Sequence, residues 1–300
     1  MALRLLGICV GLAALAGGLA ADGRASDLID RNASSVKLDV NAKGEALLTY
    51  KVRGKIRRVL AWGAVDALPP TQSREQVRFR LDYSGGYGQY RRTYWEGFRN
   101  TCGVYRGPAL GWLVKACTAP DGSHWALQSW QRALPNYGLD ATPTQAVWEL
   151  RLSHWRGEPA VLEVNLDWAY RRFDHLYGRL TYRGQAVHGF RSTSMGVPLD
   201  TFGRNLYVDT FNSAYGGGWK RENSFLAQRD AGTFCYGFFA HGARPSGKGE
   251  RYRATVIGPG VTPDVVWQGA SPGAFDAARD RAANAEQARL FAGSRLCRPN

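Results

Sequence analysis

The chain has 300 residues, 44% of them hydrophobic and 21% charged, with a formal net charge of +14. That is enough apolar surface for one large domain or two ordinary ones, and it excludes disorder over most of the length. The 36 glycines, 13 prolines and 12% share of aromatic residues speak against a helical bundle and for a β-rich, turn-rich protein. No stretch after residue 22 is apolar enough to span a bilayer.

The first residues read as an export leader. Arg4 gives a short basic start, Leu5 to Leu19 is apolar and uncharged, and both Gly18-Leu19-Ala20 and Gly23-Arg24-Ala25 fit the small-x-small cleavage pattern. A signal peptide over residues 1–25 places the mature protein outside the cell, with no membrane contact after cleavage. Its removal takes away Arg4, Asp22 and Arg24, leaving a net charge of +13. It also takes away Cys9 and leaves Cys102, Cys117, Cys235 and Cys297. An even number in an exported chain predicts two disulfides. Of the three pairings, Cys102–Cys117 with Cys235–Cys297 is favoured; the first closes a short loop, worth about 3 kcal/mol. No Cys-x-x-Cys pair is present, so a zinc site of the usual spacing is not expected, and with no dinucleotide fingerprint in the chain neither is a cofactor.

Val36 to Val40 alternates with period two and predicts a strand, followed by an Asn41–Gly44 turn, a strand over Ala46–Val52, a turn at Arg53-Gly54 and a strand over Ile56–Trp62. Val77 to Tyr83 alternates again, and Ser84 to Gly88 reads as a Gly/Tyr-rich loop. Trp125 to Leu134 reads as a strand or a short helix. The polar stretch 135–143 is a candidate boundary between a region 26–134 and a region 145–300, which can also form a single domain. Trp148–Trp155 and Leu162–Trp168 alternate on either side of Arg156–Ala160 and predict a hairpin with one apolar and one polar face. Three further strands fall within 176–212, others at Phe234–Phe239 and Tyr252–Ile257, and Asp276–Phe291 is an Ala/Arg-rich helix. The fold expected is all-β or β-dominated, an antiparallel β-sandwich or jelly roll with a short carboxyl-terminal helix.

Several stretches carry a resemblance: 126–132 (ALQSWQR), 189–194 (GFRSTS), 209–216 (DTFNSAYG), 218–225 (GWKRENSF) and 258–265 (GPGVTPDV). Together they resemble a group of secreted bacterial proteins of unknown function over most of the mature chain. The resemblance implies export and a shared fold, and it carries over no catalytic residue.

Two constellations can carry chemistry. In one register of the predicted hairpin Glu149 faces Asp167 and Ser153 faces Glu163. Opposing side chains there have Cβ atoms about 5 Å apart, close enough for a coupled carboxylate pair or a retaining glycosidase. A slip of two residues turns the same face into an Arg151–Glu163 ion pair. The Glu163-x-Asn165-x-Asp167 alternation loosely resembles the acidic strand motif of laminarinase-type jelly-roll glycosidases, departing from it at Asn165 and Asp167. The second constellation is aromatic: Tyr87 beside Gln89 in one glycine-rich loop, and Tyr215 with Trp219 in another, near Asn212 and Asn223. Rings of this kind pack on the C–H face of a pyranose while amides meet its hydroxyls.

The leading expectation is therefore non-catalytic binding to a cell-surface or environmental glycan. The alternatives are a secreted carbohydrate-active hydrolase using the hairpin carboxylates, and a structural or protein-interaction module. The basic balance suits an acidic polymer. Its best local groups are Arg53, Lys55, Arg57 and Arg58, and Arg91 with Arg92. An Arg excess from codon usage is the other reading, and no specific nucleic-acid partner is expected. The segment ending Gly247-Lys248-Gly249 is one residue short of a P-loop, and the five histidines are scattered and read as structural.

Overall fold

The structure is a computed structural model that describes residues 26–68, 73, 77–132, 147–182, 185–186, 191–192, 198–199, 205–213, 216–221, 227–228, 233–237, 249–257 and 261–291. In chain order the first strands are β1 (Asp27–Arg31), β2 (Ser34–Val40), β3 (Ala46–Val52), β4 (Lys55–Trp62) and β5 (Arg80–Asp82). A single helical turn, α1 (Tyr87–Tyr90), and a 3-10 turn at Tyr94–Glu96 follow. Next come β6 (Gly103–Val104), β7 (Leu113–Thr118), β8 (His124–Arg132), β9 (Val147–Trp155), β10 (Val161–Ala169) and β11 (Phe173–Tyr182). Three short strands, β12 (Gln185–Ala186), β13 (Arg191–Ser192) and β14 (Pro198–Leu199), precede β15 (Asn205–Ser213) and β16 (Gly216–Arg221). The chain ends through β17 (Ala227–Gln228), β18 (Thr233–Gly237), β19 (Arg251–Ile257), β20 (Val265–Ala270) and the helix α2 (Ala277–Leu290).

Among the described residues four larger antiparallel sheets stack in two pairs beside a two-stranded β13-β14 sheet, so the β-dominated, sandwich-like expectation holds. Sheets β1-β9-β8-β7-β6 and β2-β3-β4-β5 face each other. Their shared core takes Ile29, Trp125, Leu127, Leu150 and Leu152 from one side and Val40, Leu48, Tyr50, Val59 and Ala61 from the other. Sheets β10-β11-β18-β17 and β16-β15-β19-β20 close over Val164, Leu176, Phe234, Val208, Tyr252 and Ala254. The period-two alternation puts these apolar side chains on one face of each strand. The turns follow their residue types. Asn41 Oδ1 accepts from the N–H of Lys43 at 2.9 Å and of Glu45 at 3.1 Å, closing the first hairpin. Arg53 and Gly54 both have positive φ, 49° and 75°, which joins β3 to β4 through the two-residue turn that suits strand twist.

Residues 261–264 tie the two halves together. All four are buried. Val261 enters the first core, its carbonyl accepts from the N–H of His154 at 2.6 Å, and Asp264 exchanges two backbone bonds with the Gln128 side chain at 3.0 Å each. The predicted boundary stretch 135–143 lies outside the described residues.

The expected hairpin over 148–168 is not formed. Both strands exist where the alternation puts them, but β9 pairs with β1 and β8, while β10 pairs with β11. The turn at 156–160 passes the chain from one sheet to another. The polar face of β9 is buried too: Glu149, Arg151 and Ser153 lie beneath other chain segments. The alternation over Val77–Tyr83 pairs only at Arg80–Asp82, and Trp125–Leu134 resolves as strand β8, described to Arg132.

Cys102 and Cys117 are joined as expected. Cys235 is also disulfide-bonded; its expected partner Cys297 lies outside the described residues. The helix α2 starts where Asp276 accepts from the N–H groups of Ala278 and Arg279, at 2.8 and 3.0 Å. It docks on β10 and β11 through Leu290 and Phe291, which pack with Tyr177 and Cys235.

Candidate functional site

Two exposed rings share the segment between β5 and β6, whereas the other exposed aromatics among the described residues, Trp148, Tyr170 and Phe275, stand on separate elements. Tyr83 is 54% and Tyr87 50% exposed. Trp95 is half-buried, with the Arg58 guanidinium 5.2 Å over its ring. Exposed Gln89, Arg91 and Arg92 lie on the same segment, and Arg92 sits 5.5 Å from the Tyr94 ring. One loop therefore displays aromatic faces, an amide and guanidinium groups together.

That loop is glycine-rich but fixed in place. The Asp82 carboxylate accepts from the N–H of Ser84 at 2.8 Å and of Gln89 at 2.9 Å, and the Ser84 hydroxyl accepts from the N–H of Gly88 at 2.5 Å. Beneath it, the Glu45 carboxylate accepts from the Tyr94 hydroxyl at 2.6 Å, from the Asn41 amide at 2.7 Å and from the Tyr90 hydroxyl. Tyr90 and Tyr94 stack at 4.1 Å between ring centres. Burial works to raise the Glu45 pKa, but these donors overcome it and hold the carboxyl below its usual range. At the far end Asn100 Oδ1 accepts from the Val40 N–H at 2.9 Å, and the Cys102–Cys117 disulfide ties the exit to β7. Gly86 is required here: its φ is 98°, and a Cβ would stand 2.8 Å from that of Tyr94. Gly86→Ala is expected to cost about 2 kcal/mol in urea unfolding; a variant as stable as the parent would show that the loop is not held by this packing.

The predicted carboxylates are not brought together. Glu149 is fully buried and bonded to Arg151 at 2.5 Å, with Arg31 at 3.5 Å. Asp167 is fully buried under α2, where His175 Nδ1 lies 2.6 Å away and the Gln287 amide donates to its other oxygen. Glu163 is exposed and lies 3.7 Å from Arg179 across the β10–β11 ladder. Each has its own partners, and the two buried ones are closed to a polymer.

Of the predicted ring cluster, Tyr215 and Asn223 lie outside the described residues. Trp219 is half-buried, with Arg253 4.6 Å and Arg251 5.6 Å over its ring and Phe211 at 5.3 Å. Arg253 also reaches Trp112 at 5.5 Å, and Trp112 stacks on Trp130 at 5.4 Å. Arg253 is itself paired to buried Asp209 at 2.7 Å. The result is a cation–π ladder that fastens one sandwich to the other. Asn212, with φ of 53°, sits at the register shift between Phe211 and Ser213, where it serves a β-bulge.

Sequence reasoning passed over Glu45 and Trp95, and took in Tyr83 only as the start of the glycine-rich loop that carries Tyr87. Glu45 acts through tyrosines 45 and 49 residues away, which no local pattern marks. Tyr83 and Trp95 carried a visible signal, being aromatic residues within a turn-rich stretch. Among the described residues no group of three or more His, Cys, Asp and Glu side chains is gathered to hold a metal ion, and no helix is long and apolar enough to cross a membrane.

No family model, curated protein or solved structure matches this chain.

Proposed function

We propose that this is a secreted, non-catalytic glycan-binding protein whose contact surface is the loop from Tyr83 to Phe98. The observation that carries this reading is the Tyr87 ring, half exposed on a loop already immobilised by Asp82 and Glu45. Exposed aromatic surface marks an interaction site, and a rigid display loses little freedom when a partner docks. Gln89 supplies an amide for hydroxyl groups, and Arg91 and Arg92 give the rim an affinity for acidic sugars. The leader sequence and the cysteine bonds support export.

Retention on a panel of insoluble polysaccharides tests the reading. Tyr87→Ala should weaken retention about tenfold, in line with the roughly 1–3 kcal/mol of a base stacked on an aromatic ring. Because the ring is half exposed, the variant should melt with the parent. On acidic polymers retention should fall as salt rises. No retention on any polysaccharide, or equal retention of parent and variant, removes glycan binding and leaves a protein-interaction module.

A further inference from the structure

A group of buried charges lies where β1 meets the 261–264 segment. Asp264 is 1% exposed. Its carboxylate accepts from the Ser26 hydroxyl at 2.9 Å and from Trp130 Nε1 at 3.1 Å. The adjacent cation is Arg151, whose Nε stands 3.9 Å from Asp264, too far for a hydrogen bond. One Arg151 terminal nitrogen is committed to Glu149 at 2.5 Å, and the other donates to the Ser26 carbonyl at 3.2 Å. Within this group two fully buried carboxylates thus share one buried guanidinium. Arg31 adds charge only on the Glu149 side. Burial accordingly raises the Asp264 pKa, against the lowering effect of Arg151.

With the leader still attached Ser26 is completely buried, and it directly follows Gly23-Arg24-Ala25, one of the two small-x-small sites in the leader. Hydrolysis of the Ala25–Ser26 bond adds one water: the carboxylate leaves with Ala25, and Ser26 gains an α-amine that takes up a proton near neutral pH. That nitrogen shares a Cα with the CH2OH group touching Asp264, which puts the new charge within about 6 Å of the carboxylate. We propose that an export peptidase cleaves between Ala25 and Ser26, and that the Ser26 α-ammonium becomes the buried counter-charge of Asp264, locking β1 against its sheet. Cleavage after Ala20 would leave five residues ahead of Ser26 and no charge at this place. The inference rests on the export reading and is independent of glycan binding.

Intact mass of the full precursor's exported product tests it first. A product beginning at Ser26 is expected. A product beginning at Ala21 overturns the inference and leaves export standing, whereas an uncleaved chain overturns both. Amine acetylation at pH 7, followed by peptide mapping, tests the ion pair. The Ser26 α-amine should react at least about tenfold more slowly in the folded protein than in urea, as befits a buried, charge-paired amine. Equal rates overturn the pairing. Asp264→Asn should return the rate to near the unfolded value; if that variant does not fold, the folded-against-unfolded comparison in the parent decides alone.

Discussion

Arg151→Met will lower the unfolding free energy by about 3 kcal/mol at pH 7, because it leaves two buried carboxylates short of a counter-charge and not because it deletes a strong bridge. Glu149 and Asp264 are buried on either side of that guanidinium. Without it Glu149 keeps the half-exposed Arg31 at 3.5 Å and Asp264 the Ser26 side, so the buried group is left one positive charge short. In thermal unfolding this amounts to a drop of roughly 10 °C for a chain of this size. The triple variant Glu149→Gln, Arg151→Met, Asp264→Asn removes the stranded charges and should recover much of the loss. A single variant within 1 kcal/mol of the parent would show that the group is hydrated and not sealed.

Acid should weaken the fold through His154. This side chain joins three segments. Its Nδ1 lies 2.5 Å from the Ala64 carbonyl, its Nε2 lies 2.9 Å from the Ser123 hydroxyl, and its ring stacks on Trp125 at 3.8 Å. Burial lowers its pKa from 6.5 to about 4, outweighing the Ala64 carbonyl and nearby Asp121 and Asp66, which favour the proton; Arg156 adds to the lowering. Between those values the unfolded chain holds the proton and the folded chain does not. Stability is therefore complete above pH 6.5 and falls as the pH drops towards 4, by about 3 kcal/mol over the window. Urea midpoints measured across that range give the slope. His154→Asn should be less stable at pH 7 yet flatter in acid, with some slope remaining from His124, whose pKa burial also lowers. A parent whose stability is level from pH 7 to 4 would contradict this account.

Local features were legible in the sequence, and distant ones were not. The strand predicted over Ala46–Val52 matched β3, the Arg53-Gly54 turn fell between its strands, and the Ala/Arg-rich run became α2. These depend on neighbours a few residues apart. The strands around 148–168 were equally plain, but their partners were not. Gly157 and Pro159 look like a hairpin connection, whereas β9 finds β1 more than a hundred residues upstream. Pairing at that range is decided by which apolar faces fit, and no spacing records it. The candidate site divides the same way. Tyr87 was visible as a ring in a glycine-rich loop, and the structure leaves it exposed. That Glu45 holds this loop, and that Glu149 is matched to Arg151 on its own strand rather than to Asp167, emerges only from the packing.

β1 covers an edge that would otherwise lie open. It is the outermost strand of its sheet, paired to β9 from Arg31↔Glu149 to Asp27↔Leu152 with an irregularity between Leu28 and Asp30. It must return across most of a sandwich to reach that place, so its loop closes late and at an entropic cost. Until it arrives, β9 is a bare rim offering unpaired N–H and C=O groups to any extended segment. Seating β1 thus covers the β9 rim with a strand from the same chain, and leaves the five residues of β1 as the new edge of the sheet.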